Sequence, residues 1–255
     1  MTRPHPLNND THFVPCRDMD DMATRVANLF VRRAEVAVAA RGRFVVALSG
    51  CATALALYAR LASDQFHRRI PWSRTHIFWT DEVCTPGQET RYQRVDDALL
   101  SRVGVPRNNV HAPISVHGDC HRAAIEYEQT LRAFFELEDA DLPRFDFVCL
   151  ELGSDGHAAS LFPGSNALDE TARLVTATYL QRLREHRITL TAPVISNAAT
   201  VVLLVPGESR VAVNEALDGI YQPQRLPAQL IRPRAGSLYY FVEERGGTGL
   251  RSTGT

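Results

Sequence analysis

A chain of 255 residues, 45% hydrophobic and 22% charged, has the make-up of a folded globular protein with one large α/β domain or two small ones. Its formal net charge of −1 excludes a global basic field for nucleic acid or an anionic membrane, so any anion site must be local. No apolar run approaches membrane-spanning length, and the opening MTRPHPLNND lacks the apolar core of a secretory signal. The five cysteines, at 16, 51, 84, 120 and 149, are scattered and form no C-x-x-C pair. Neither a disulfide framework nor a common zinc site is therefore expected, and a reducing cytoplasm is the simplest home.

In chain order, THFVPC reads as a first strand. Asp18 then offers an N-cap to a helix over residues 18 to 40, with Met19, Met22, Val26, Phe30 and Ala34 on its buried face. RFVVALSG is a buried strand ending in a glycine turn, and TALALYARLA is the helix after it. HIFWTDEV is the next strand, followed by the helix RYQRVDDALLSRVG. CHRAAIEYEQTLRAFFELE is a further helix and FDFVCLEL a strand buried on both faces. RITLT, TVVLLVPG, the helix SRVAVNEALDG and the strand SLYYFVEE complete the series. Continuously apolar strands alternating with helices predict one doubly wound, mostly parallel sheet covered on both faces. A single α/β domain over residues 1–245 is expected, with a disordered Gly/Thr-rich tail at 246–255.

Ligands of such sheets sit beyond the carboxyl ends of the strands. Three strand ends carry turn formers or polar groups there: LSGCAT at 48 to 53, WTDE at 79 to 82 and LGSDGH at 152 to 157. Around Gly50 and Cys51, backbone N–H groups and the Thr53 hydroxyl would form an anion cradle, although a plain tight turn has the same sequence. Of Asp81 and Glu82, adjacent on a strand, only one can face a shared cleft. Asp155 and His157 place an imidazole beside a carboxylate that would orient it and stabilise its charged form, the arrangement of a general base. Two features take a structural reading. HGDCH, with His117, Cys120 and His121, opens an amphipathic helix, and Cys51 has no base beside it in sequence.

At LGSDGHAASLFPGS the chain resembles the 6-phosphogluconolactonase family, within the glucosamine-6-phosphate deaminase/isomerase-like superfamily. The likeness runs from the first strand to SLYYFVEE and includes GRFVVALSG, FWTDE, RITLTAPVISNAATVVLLVPG and LPAQLIRP. It implies a sugar-phosphate isomerase/lactonase-like fold and hydrolysis of 6-phosphoglucono-1,5-lactone to 6-phosphogluconate, as in the pentose phosphate pathway, without a metal or organic cofactor. It further implies a cytoplasmic monomer or homodimer whose partner is a small sugar phosphate or lactone, not nucleic acid or membrane. By the same likeness His157 is the general base, Asp155 supports it, and Asp81 is the acidic residue after the third strand. Gly50, Cys51 and Thr53 fall in the loop near the sugar phosphate. Arg187 lines the pocket, and Arg210 stands where the family commonly has a lysine.

The departures cluster around that site. Cys51, Ala52 and Ala54 replace the usual glycine, serine and proline; Val83 replaces an arginine, Arg91 an asparagine and Glu151 a glycine. Arg91, one turn into its helix, would return the lost charge from a new direction. A changed first set of contacts on a kept scaffold leaves two alternatives: a diverged enzyme acting on another lactone, amide or amino-sugar phosphate, or a non-catalytic phosphosugar-binding protein.

Overall fold

Local chemistry sets the first helix, α1 (Met19–Arg41): the Asp18 carboxylate accepts the Asp21 N–H at 2.8 Å, and Gly42 closes the far end at φ 71°. Asp20 and Asp21 lie in its first turn and Arg41 in its last, the polarity a helix dipole favours. The computed structural model describes residues 10–114, 118–218 and 220–244. His117 and the tail expected at 246–255 lie outside the described residues.

Seven strands form the main sheet: β1 (Thr11–Cys16), β2 (Phe44–Leu48), β3 (Thr75–Trp79), β5 (Val110–His111), β6 (Phe147–Glu151), β9 (Thr200–Val205) and β10 (Ser237–Glu243). Their order is β1-β10-β9-β6-β2-β3-β5, and every pair is parallel. Alternation along the strands divides the core. Phe44, Val46, Leu48, Phe147 and Cys149 pack under α1, α2 (Ala52–Leu61) and α3 (Arg91–Ala98). Val45, Ala47, Val148, Leu150, Val201 and Leu203 face the opposite layer. That layer holds α4 (Cys120–Phe135), α5 (Ala192–Ser196) and α6 (Arg210–Asp218). Strand β6 lies at the centre, where the winding reverses, so the loops leaving β2 and β6 meet at the carboxyl edge.

A single sheet was expected, and the structure has two. HIFWTDEV breaks at Thr80: its N–H donates to Leu48 O in the main sheet, while its carbonyl accepts the Leu190 N–H. The chain thus passes into an antiparallel sheet of β4 (Asp81–Val83), β8 (Glu185–Leu190) and β7 (Val175–Leu180). Apolar patterning cannot distinguish one buried strand from two collinear ones that change partners.

The cysteine reading is also corrected. Cys84, just after β4, and Cys120, the first residue of α4, form a disulfide with Cα atoms 5.7 Å apart, leaving Cys16, Cys51 and Cys149 free. This removes the cysteine argument for a reducing compartment and shows that the start of α4 is stapled to the small sheet. Pairing depends on proximity in the fold, which a separation of 36 residues does not reveal. Among the described residues no helix is long and apolar enough to cross a membrane. Denatured without reductant, the protein should present three titratable thiols to a disulfide-exchange reagent. Cys84→Ser should lower its unfolding free energy by about 2–4 kcal/mol in non-reducing denaturant titrations.

Candidate active site

The loop after β6 is folded back on itself. Gly153 N–H donates to His157 O and Gly156 N–H donates to Gly153 O, both at 2.9 Å. A Cβ on Gly153 would lie 2.1 Å from the His157 ring, so only glycine admits the imidazole here. Gly156 takes φ +80° with its Cα against Leu226. This packing holds His157 Nδ1 2.5 Å from Asp155 Oδ1, and the Asp155 carboxylate also accepts the His157 backbone N–H at 3.2 Å. The hydrogen bond from His157, opposed by partial burial, holds the Asp155 carboxyl below its ordinary range. A charged Asp155 requires the proton on Nδ1, which leaves Nε2 as the ring's acceptor. Phe162 stacks on the opposite side of the ring, centroids 4.0 Å apart and planes at 12°.

Asp81 arrives from the break between the sheets and is almost wholly buried. Its Oδ2 accepts the Ser160 hydroxyl at 2.8 Å, and Thr80 Oγ1 donates to Oδ1 at 3.1 Å. Arg187 on β8 places Nη1 3.5 Å from Asp81 Oδ2 and binds Glu185 through Nε and Nη2. Arg91, the first residue of α3, donates from Nη1 to Gly50 O at 3.0 Å. Its Nε is buried without a hydrogen-bond acceptor and stands 4.0 Å from Asp81 Oδ2, beyond hydrogen-bond reach.

These groups surround two chambers. The inner one, about 110 Å³, is lined by Ser49, Cys51, Asp81, Glu151 and the shared residues Arg91, His157 and Arg187. The outer cleft, about 940 Å³, adds Asp155, Phe162, Arg182 and Arg225 to the same shared three. His157 therefore borders both chambers, as do Arg91 and Arg187.

The sequence-predicted residues divide accordingly. His157, Asp155, Asp81, Arg91, Arg187 and Cys51 come together. Desolvation, aided by the Glu151 charge, pushes the Cys51 thiol up to about 12, so it is a neutral wall group. Gly50 lines neither chamber: an added Cβ would meet the Arg91 side chain at 2.7 Å, and the glycine serves that close approach. Thr53 offers its backbone N–H to Glu151 at 3.1 Å and lines neither chamber. Arg210 turns its Nη1 to the Glu244 carbonyl and is absent from both linings; an exposed start of α6 faces it away. The geometry adds Phe162, Ser160 and Glu82. The spacing of Phe162, five residues beyond His157 on a loop, gave no periodic signal, whereas Glu82 was visible as the neighbour of Asp81.

Comparison with known proteins follows the same outline. Residues 17–240 match the model of a family described as glucosamine-6-phosphate isomerases/6-phosphogluconolactonase. A 6-phosphogluconolactonase of Synechocystis sp. is 37% identical over 220 residues, covering 84% of this chain and 88% of its own. One from Nostoc sp. is 31% identical, covering 91% and 95%. Among solved structures, the 6-phosphogluconolactonase of Thermotoga maritima superposes with a TM-score of 0.75 at 26% identity, covering 91% of this chain and all of the other. The chain belongs to the glucosamine-6-phosphate isomerase/6-phosphogluconolactonase family.

Within this family fold, Glu82 anchors Arg91. Its carboxylate accepts the N–H groups of Val83, Arg91 and Tyr92 at 2.7, 2.6 and 2.9 Å, fixing the first turn of α3 to β4. Burial raises the Glu82 carboxyl from 4.5 to about 7, against the pull of those three donors. A carboxyl whose folded pKa lies above its unfolded value binds extra protons in the native state, so its contribution to stability falls as pH rises from about 4.5 to about 7. Thermal unfolding across that range should shift in favour of Glu82→Gln relative to wild type as pH increases. Gly153→Ala should displace the imidazole and abolish the ring-current shift that Phe162 imposes on the His157 ring protons, read by NMR.

Proposed function

We propose that this chain hydrolyses 6-phosphoglucono-1,5-lactone to 6-phosphogluconate, with His157 as the general base. The observation that carries this reading is the Asp155–His157 pair, with His157 lining both chambers together with Arg91 and Arg187. The relatives' names supply the substrate, and the residues supply a route.

Water hydrogen-bonded to Nε2 attacks the lactone carbonyl carbon and gives up one proton to the imidazole. Asp155 stabilises the imidazolium through Nδ1–H. As the carbonyl oxygen gains charge, the guanidinium groups of Arg91 and Arg187, which line both chambers, can receive it. Preorganised donors of this kind are worth about 2.7–4 kcal/mol each in the transition state. The tetrahedral intermediate then expels the ring oxygen, which takes the proton back from His157, and the carbonyl carbon becomes a carboxylic acid that releases its remaining proton to solvent as the open-chain carboxylate. Asp81 touches no reacting atom in this scheme; it holds Arg187 in place from a buried site.

His157→Ala should lower kcat on 6-phosphogluconolactone by about 10²–10⁴-fold, the usual worth of a general base. Asp155→Asn should cost about ten- to a hundredfold by weakening one charge-assisted hydrogen bond. Both are read in a coupled assay corrected for spontaneous hydrolysis. Undiminished turnover by His157→Ala would remove the imidazole from its role.

A further inference from the structure

Strand β6 is apolar until its last residue, Glu151. That carboxylate reaches across to α2 and accepts the Thr53 N–H at 3.1 Å, while Cys51 at the N-cap position makes no side-chain cap. The N–H groups opening a helix carry partial positive charge and attract anions. Here the anion is part of the protein. Among the described residues no cation stands within ion-pair distance of Glu151, so its charge faces the inner chamber beside that of Asp81. A chamber of about 110 Å³ has room for three or four waters at about 30 Å³ each. It admits one edge of a sugar ring and no more.

The outer cleft shares Arg91 and Arg187 with the inner chamber and adds two further arginines. Arg225 there pairs with Glu215 at 2.6 Å, and Arg187 is held by Glu185 and Asp81. Arg182, on the turn joining β7 to β8, lines the same cleft with no hydrogen-bond or ion-pair partner among the described residues. Its guanidinium is open to an incoming oxyanion.

We propose that Glu151 is a specificity-determining residue: it fills the anion seat at the start of α2, keeps phosphate out of the inner chamber and leaves it to the outer cleft against Arg182. With a sugar-phosphate lactone, the carbonyl and the attacking water then lie at the chamber mouth beside His157, and the phosphate points outward. The substrate in this statement rests on the lactone-hydrolysis reading; the anion preference does not.

The test uses inorganic phosphate as probe, titrated into wild type, Glu151→Gln, Glu151→Gly and Arg182→Ala by calorimetry and thermal shift. The Gln variant keeps an oxygen for the Thr53 N–H while losing the charge, which guards against misfolding as an explanation. Wild type should bind phosphate, Arg182→Ala about tenfold more weakly, and both Glu151 variants more tightly, with Gly about tenfold tighter. In turnover, Arg182→Ala should raise KM for 6-phosphogluconolactone about tenfold with kcat little changed, and its loss in kcat/KM should be several-fold smaller on unphosphorylated glucono-1,5-lactone. Phosphate affinity absent from wild type or unchanged in Arg182→Ala overturns the proposal, as does affinity unchanged or weakened in both Glu151 variants. Failure of wild type to hydrolyse either lactone would overturn the hydrolase reading alone, and the phosphate titrations would still decide the role of Glu151.

Discussion

The contact between His157 Nδ1 and Asp155 Oδ1 is the constraint on which the rest of the site depends. It exists because the loop after β6 doubles back within five residues, and that needs the bare Cα of Gly153 under the ring. The ring is then confined on three sides: by the glycine beneath, by Asp155 at one nitrogen and by Phe162 across its face. Only the second nitrogen remains for chemistry. A base held in one tautomer and one orientation loses little entropy when the substrate arrives, and that preorganisation is what a side chain on an unsupported loop would lack.

Around this fixed ring the charges are arranged in alternation. Buried Asp81 would be costly alone, since removing one partner of a buried ion pair leaves a penalty of about 3–5 kcal/mol. Ser160, Thr80 and Arg187 offset it, and each comes from a different segment. Ser160 belongs to the same loop as His157, so Asp81 fastens that loop to the small sheet as well as pairing with Arg187. The break at Thr80 is therefore a functional feature of the fold. A strand that continued straight in the main sheet would not pair with β8, and Asp81 would not meet Arg187.

Much of this was legible in the sequence, for reasons that can be named. The main sheet's strands other than the two-residue β5 were readable because uninterrupted apolar runs such as FVVAL and TVVLLV are buried on both faces. The α1 cap was readable because Asp18 stands directly before a helical apolar period. Asp155 and His157 were readable because they follow such a strand. What escaped depends on relations between distant segments. The Cys84–Cys120 pair, the Ser160–Asp81 bond and the cover that Arg91 places over Gly50 have no local signature. Likewise, an arginine at position 210 reads the same whether its side chain enters the cleft that Val211 and Ala212 line or, as here, turns to the Glu244 carbonyl.

The same logic explains how the cleft keeps a cation although position 83 holds valine. Val83 pairs across the small sheet with Arg187, so its short apolar side chain shares a face of that sheet with Arg187 and Asp81. Eight residues later the chain re-enters at Arg91, and Glu82 binds the backbone of Val83, Arg91 and Tyr92 with one carboxylate. Strand β4 and the first turn of α3 thereby form one unit carrying Asp81, the Glu82 anchor and Arg91. Because β8 is hydrogen-bonded to that unit, Arg187 is placed by it too. Arg91 and Arg187 are thus positioned by backbone hydrogen bonds and not by long flexible side chains alone.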